Sequence, residues 1–179
     1  MSAYGPLPNH RLGRLVGVYA AVDVYYPDSG GATAALVLAS DRTFATVLRE
    51  RSVGLADVAP YRPGAFFERE LPALRAVLAG VGLLELLVVD GYVHLDPDGR
   101  PGLGAHAHTE LGVPVIGVAK TAFRGASHAI AVRRGKATRP LYVTAVGIPP
   151  AEAAELVRQM AGPYRLPDAL RRVDALSRA

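Results

Sequence analysis

Three carboxylates stand where an ionised acid is costly. Asp23 lies inside the apolar run 15–26, and Asp90 closes the run Leu86-Leu87-Val88-Val89. Glu70 falls on the stripe formed by Phe67, Leu71, Leu74, Leu78 and Val81. A buried charge has to be paired or has to bind a cation. Three acids on converging elements offer the hard oxygen ligands that Mg²⁺ takes, an ion that keeps several waters and completes its shell with a substrate phosphate. The chemistry open to such a set is phosphodiester cleavage, with water activated and charge on the scissile phosphate taken up. Each acid also has a plainer reading. Asp23 could face solvent, Asp90-Gly91 could be only a turn, and Glu70 could cap a helix, since Pro72 permits a helix start close to it.

The elements that must position these acids follow from periodicity. Residues 15–26, 32–40 and 43–53 read as strands of an antiparallel meander, with a dense turn signal from Pro27 to Gly31. The period then changes, and the stripe from Phe67 to Val81 predicts an amphipathic helix. Leu83 to Asp90 and Val113 to Val118 read as buried parallel strands, with a short helix over 101–112 between them. Further strands are predicted at 128–134 and 140–146, then helices at 150–161 and 167–177. Strands first, then alternation, is the α/β pattern of a mixed sheet flanked by helices. Asp90 would close a parallel strand at its C-terminal end, where ligands of open α/β sheets collect.

Composition bounds the alternatives. The chain has 179 residues, half of them hydrophobic, and no linker-like, repeated or low-complexity tract, so one domain over 1–179 is expected. There is no signal-peptide pattern and no apolar run long enough to span a bilayer. No cysteine is present, so a metal would sit among oxygen and nitrogen ligands, and a reducing cytoplasm is the default compartment. The formal charge of +4 permits a phosphate-bearing partner without demanding one. Of twenty basic residues only Lys120 and Lys136 are lysines. In an arginine-rich chain, a retained Lys is a candidate for use as a compact point charge.

Taken in order, several motifs resemble the endonuclease V family. They are Val22-Asp23-Val24, Pro60-Tyr61-Arg62-Pro63-Gly64, Phe67-Glu68-Arg69-Glu70, Leu71-Pro72-Ala73-Leu74 and Val89-Asp90-Gly91. Gly102-Leu103-Gly104-Ala105-His106, Ile116-Gly117-Val118-Ala119-Lys120 and Tyr164-Arg165-Leu166-Pro167 with Arg171 and Asp174 continue the series. The resemblance runs from about residue 15 to the end. It implies a ribonuclease-H-like fold, Mg²⁺ with Mn²⁺ as a substitute, and a monomer acting on DNA with deaminated bases. The cut implied is at the second phosphodiester 3′ to deoxyinosine, and inosine in RNA stays open as a substrate. Carried over by position, Asp23, Glu70, Asp90 and Asp174 are implied as metal-binding acids and Lys120 as the contact to the scissile phosphate. Tyr61, flanked by Pro60 and Pro63, matches a strand-separating wedge, a ring suited to filling the gap left by an extruded base. Gly64, Gly91 and Gly102 fall in loops where backbone would approach that base, and His106 is implied to line the site.

The chain also departs from the pattern. Asp96-Pro97 stands where the family has His-Pro, Thr144-Ala145-Val146-Gly147 where many members have Ser-Pro-Gly-His, and Arg62 where an aliphatic residue is common. These changes leave the acids intact and bear on base selectivity and rate. A divergent member that binds nucleic acid and cuts poorly is one alternative. A ribonuclease-H-fold nuclease of other specificity is another, and it leaves the wedge unexplained. His94, His106 and His108 raise a zinc site as a minor alternative.

Overall fold

The computed structural model describes residues 16–63 and 65–179. Seven strands form one sheet: β1 (Val18–Tyr25), β2 (Ala32–Ala39), β3 (Val47–Leu55), β4 (Leu84–Asp90), β5 (Val115–Ala119), β6 (Ile130–Val132) and β7 (Leu141–Val146). Their order across the sheet is β3-β2-β1-β4-β5-β7-β6. The first three strands are the predicted antiparallel meander. β4 runs parallel to β1 and β5 parallel to β4, while β7 and β6 return antiparallel. Four helices cover the sheet: α1 (Phe66–Leu78), α2 (Leu103–Leu111), α3 (Pro150–Gln159) and α4 (Asp168–Ser177). The result is the mixed α/β sheet with flanking helices that the alternation predicts.

Strand alternation sorts the core into two layers. Val88, Ile116 and Val118 pack with Leu156 and Val157 of α3 and with Leu170 and Val173 of α4. Val22, Leu36, Leu87 and Val89 pack with Leu74 and Val77 of α1 and with Ala107 of α2. The central strands are covered on both faces, which explains their continuous apolar sequence.

Register then decides where the chemistry sits. Val22 is paired with Val89, Asp90 with Val118 and Ala119 with Tyr142. Asp23, Asp90, Lys120 and the start of β7 therefore share one end of the sheet. Val22, Val24 and Val89 turn to the α1/α2 layer, so alternation sends Asp23 and Asp90 to the α3/α4 face.

Three boundaries move furthest from the sequence reading. β3 begins at Val47 rather than near Thr43, because the Asp41 carboxylate accepts bonds from the Thr43, Ala45 and Thr46 amides and holds a turn there. α1 starts at Phe66, well before Glu70, and carries Pro72 inside it. The reading of Glu70 as a helix cap is thus incorrect: its side chain is buried in the second turn, 8% exposed. The helix stops at Leu78 rather than Val81, where Arg51 of β3 donates to the Val77 and Ala79 carbonyls at 2.8 and 2.7 Å. Among the described residues, no helix is long and apolar enough to cross a membrane.

Candidate active site

On the α3/α4 face, four of the singled-out residues meet. The Lys120 ammonium lies 3.0 Å from Asp90 Oδ2 and 3.4 Å from Asp174 Oδ1. Ser177, one turn on from Asp174 and 1% exposed, donates from Oγ to Asp23 Oδ2 at 3.0 Å. Asp23, Asp90, Lys120 and Asp174 line one small cleft floored by Leu166, Leu170 and Val173. Burial pushes the Asp23 carboxyl above its usual range and Asp90 adds to the push, while the Ser177 hydroxyl and Lys120 oppose it. Burial alone would lower the Lys120 pKa; Asp90, Asp174 and Asp23 outweigh it and raise the pKa, so the ammonium stays charged.

Glu70 approaches from the other layer, on α1. Burial, and then the charges of Asp23 and Asp90, push its carboxyl up to about 8, with only Arg69 pulling it back. Arginines flank this end of β1 from both layers. Arg69 lies over the Tyr26 ring at 4.0 Å and Arg178 over the Tyr25 ring at 4.5 Å.

Asp90 and Glu70 also edge a larger cavity of about 320 Å³, lined by Phe67, Tyr92, Leu95, Arg100, Pro101, Gly102, Leu103 and Phe123. Gly91 turns the chain out of β4 with φ +109°, a conformation that L side chains avoid. At Gly102 a Cβ would come within 2.6 Å of the Tyr92 carbonyl oxygen. Tyr92 reaches across the cavity mouth: its hydroxyl donates to the Thr121 carbonyl at 2.8 Å and accepts from the Phe123 amide at 2.9 Å. One phenol thereby fixes the segment that follows Lys120 and sets Phe123, 47% exposed, against the cavity.

The remaining singled-out residues lie around this pair of hollows. Tyr61 is 62% exposed and Pro63 is exposed beside it; Gly64 lies outside the described residues. His106 stands behind the cavity wall, its ring stacked on Phe67 with centroids 3.6 Å apart. Burial lowers its pKa. The three histidines of the zinc alternative are not gathered: among the described residues no three of His, Asp and Glu, the cleft acids included, stand together as a formed metal group, and His106 is stacked on Phe67.

Two departures from the family pattern acquire structural roles. Asp96 Oδ1 accepts from the Arg100 amide at 2.9 Å and closes its own loop, which brings Leu95 and Arg100 to the cavity. Thr144 Oγ1 accepts from the buried Val93 amide at 2.8 Å, tying β7 to the turn after Asp90. Sequence reasoning gave no role to Tyr92, Phe123, Thr144 or Ser177. Each acts through a contact distant in sequence, which no local pattern announces.

The donor set fits a hard divalent cation. Glu70 is a buried acid beside two more, and Lys120 is already shared between Asp90 and Asp174. Asp23, Asp90 and Asp174 offer oxygen donors of the kind a hard divalent cation takes.

Comparison with known proteins assigns the family and the fold. The family profile described as Endonuclease V matches residues 8–129. Endonuclease V of Streptomyces coelicolor is 36% identical over 98% of this chain and 81% of the relative. The crystal structure of endonuclease V from Streptomyces avermitilis superposes with a TM-score of 0.75 at 28% identity, covering 92% of this chain and 81% of that one. The Ciona intestinalis endonuclease V, solved with a 24mer DNA containing an inosine followed by a ribo-adenosine, shares the fold with a TM-score of 0.76 at 18% identity, over 91% of this chain and 84% of that one. The chain belongs to the endonuclease V family of metal-dependent nucleases.

Proposed function

We propose that the protein is a Mg²⁺-dependent endonuclease that cuts DNA at the second phosphodiester 3′ to deoxyinosine. The observation that carries this reading is the meeting, at Asp90, of an ionic cleft and an aromatic-walled cavity. The cavity's 320 Å³ is at the lower end of small-molecule sites, a size for one extruded base rather than for duplex.

Asp23 and Asp90 would hold the cation, with Glu70 and Asp174 completing the set. When bound, Mg²⁺, or Mn²⁺ in its place, supplies an activated water and takes up charge on the phosphate. Ser177 Oγ holds Asp23 in one orientation. Without a cation, burial and the charges of Asp23 and Asp90 push the Glu70 carboxyl up to about 8, so the carboxyl would give up its proton when a cation is bound there. Lys120 Nζ stays charged and is placed to turn from Asp90 toward a developing phosphate oxygen. Tyr61 serves as the wedge that fills the gap in the stack. The flipped base enters between Phe67, Tyr92 and Phe123, and its edges meet backbone at Gly91 and Gly102.

A labelled duplex with one deoxyinosine, incubated with Mg²⁺, Mn²⁺ or EDTA, tests the reading. A metal-dependent nick one linkage beyond the lesion's own 3′ phosphodiester supports it. Binding with no nick in either metal would make the protein a recognition module instead. An inosine-containing RNA of the same sequence, run in parallel, decides between the two backbones.

A further inference from the structure

Six of the twenty basic residues and none of the sixteen acids fall between Glu110 and Glu152, so the rest of the chain has a slight excess of acid. Three of the six, Arg133, Lys136 and Arg139, are exposed on the connection from β6 to β7. Elsewhere seven arginines, Arg42, Arg62, Arg75, Arg158, Arg171, Arg172 and Arg178, each meet a carboxylate, and the other described ones are not grouped on one short connection. Among the described residues, no acid pairs with Arg133, Lys136 or Arg139.

The connection is rigid and it is placed beside the cleft. Arg134, 6% exposed, turns inward and donates to the Gly162 and Tyr164 carbonyls at 2.9 and 2.8 Å, fastening the hairpin to the segment before α4. Arg165 of that segment donates to the Arg139 and Pro140 carbonyls at 3.0 and 2.8 Å and also to the carbonyl of Lys120. One guanidinium thus joins the base of the hairpin to the backbone of Lys120. Because Ala119 is paired with Tyr142, the hairpin emerges from the same end of the sheet as Asp90. Tyr164, 57% exposed, adds a ring beside it.

The geometry points to the β6–β7 hairpin as a docking surface for the DNA strand outside the cutting site, its unpaired bases meeting consecutive backbone phosphates as the strand passes Lys120. The inference rests on the nucleic-acid reading above and deepens it. Basic groups held on a fastened backbone, and not spent on acids, bind phosphates without losing existing ion pairs. They contribute affinity and salt dependence and no base selectivity.

The test compares the parent with R133Q/K136Q/R139Q, all three exposed, and with the charge-keeping R133K/K136R/R139K. Binding of a deoxyinosine duplex is measured in EDTA across salt concentrations, and single-turnover cutting is measured in Mg²⁺ at saturating protein. Removing two to three phosphate contacts flattens the salt slope by roughly two to three, so the parent's affinity falls roughly 10–40-fold more than the glutamine variant's between 50 and 200 mM salt. The Lys/Arg-swapped variant keeps the parent's slope, and the saturated cutting rate of all three proteins agrees within about twofold. Equal affinity and slope in parent and glutamine variant would overturn the docking surface while leaving the cutting site intact. A parent that binds with the stated slope difference and never nicks would instead overturn the proposed activity and keep the surface.

Discussion

On one side of Asp90 the walls are Asp23, Lys120 and Asp174; on the other they are Phe67, Tyr92, Leu95 and Phe123. The ionic side is set by sheet register and by one helix. Asp23, Asp90 and Lys120 stand on or just past neighbouring strands, and Asp174 and Ser177 come from α4. Apart from Phe67 and Glu70 of α1, the aromatic side is built of turns: Gly91 to Arg100, the start of α2, and the segment after Lys120. Fixed register leaves little freedom to the ionic side, whereas turns can change residue by residue. The departures from the family pattern agree with this division. Asp96 shapes the cavity wall and Thr144 holds the turn leading into it, and neither touches the acids of the ionic side. Cutting chemistry and base choice are therefore separable, and mutations can separate them.

Lys120→Ala should have the largest effect of those confined to one side. On the proposed function it removes the charge facing the scissile phosphate, and it leaves Asp90 without its cation while Asp174 keeps Arg178. Single-turnover cutting should fall roughly 10²–10³-fold, while the ratio of inosine to undamaged DNA in binding stays where it was. A loss of that ratio would show that the two hollows are not independent.

Phe123→Ala acts on the other side. It removes a stacking face, worth about 1–3 kcal/mol per base, so affinity for the inosine site should drop roughly 5–100-fold with little change in the saturated cutting rate. Equilibrium binding and single-turnover rates measured together decide this.

Glu70 couples the layers through its charge. Its carboxyl titrates near 8 in the folded chain and near 4.5 in the unfolded one. Between those pH values the folded state holds a proton that the unfolded chain has released, so metal-free stability falls as pH rises. Glu70→Gln should match the parent's melting midpoint at pH 4 and exceed it by several degrees at pH 8, and Mg²⁺ should raise the parent's midpoint more than the variant's. Equal midpoints at both pH values would contradict the buried, uncompensated acid.

Tyr92→Phe should have the smallest effect. It deletes the hydroxyl that bonds Thr121 and Phe123 and keeps the ring. Two exposed bonds at the weak end, about 0.5 kcal/mol each, predict a loss of roughly fivefold, felt in inosine affinity before rate. A drop in rate alone would place the role of Tyr92 on the Lys120 side.

The sequence displayed the ionic side more clearly than the aromatic one for a physical reason. Asp23 and Asp90 interrupt apolar strands, Glu70 interrupts an apolar helical stripe, and Lys120 is one of two lysines among twenty basic residues. Each is a local anomaly. Strands and helices were readable because every central element is amphipathic or apolar at its own period. The bond from Ser177 to Asp23 spans 154 residues, and that from the Val93 amide to Thr144 spans 51. Tyr92 likewise acts on a segment 29 residues away. Such contacts exist only once the register is set, and nothing in local composition distinguishes a hydroxyl that will find a partner from one that faces water.

Asp90→Asn tests the central claim most directly, because Asp90 is the wall shared by both hollows. Parent and variant would be given the same deoxyinosine duplex, with binding measured in EDTA and nicking in Mg²⁺. The account predicts nicking reduced by at least about 10³-fold with binding within roughly tenfold of the parent, since one carboxylate serves the chemistry while the aromatic walls hold the base. A variant that nicks as fast as the parent would contradict the account and move the cutting centre away from the end of β4.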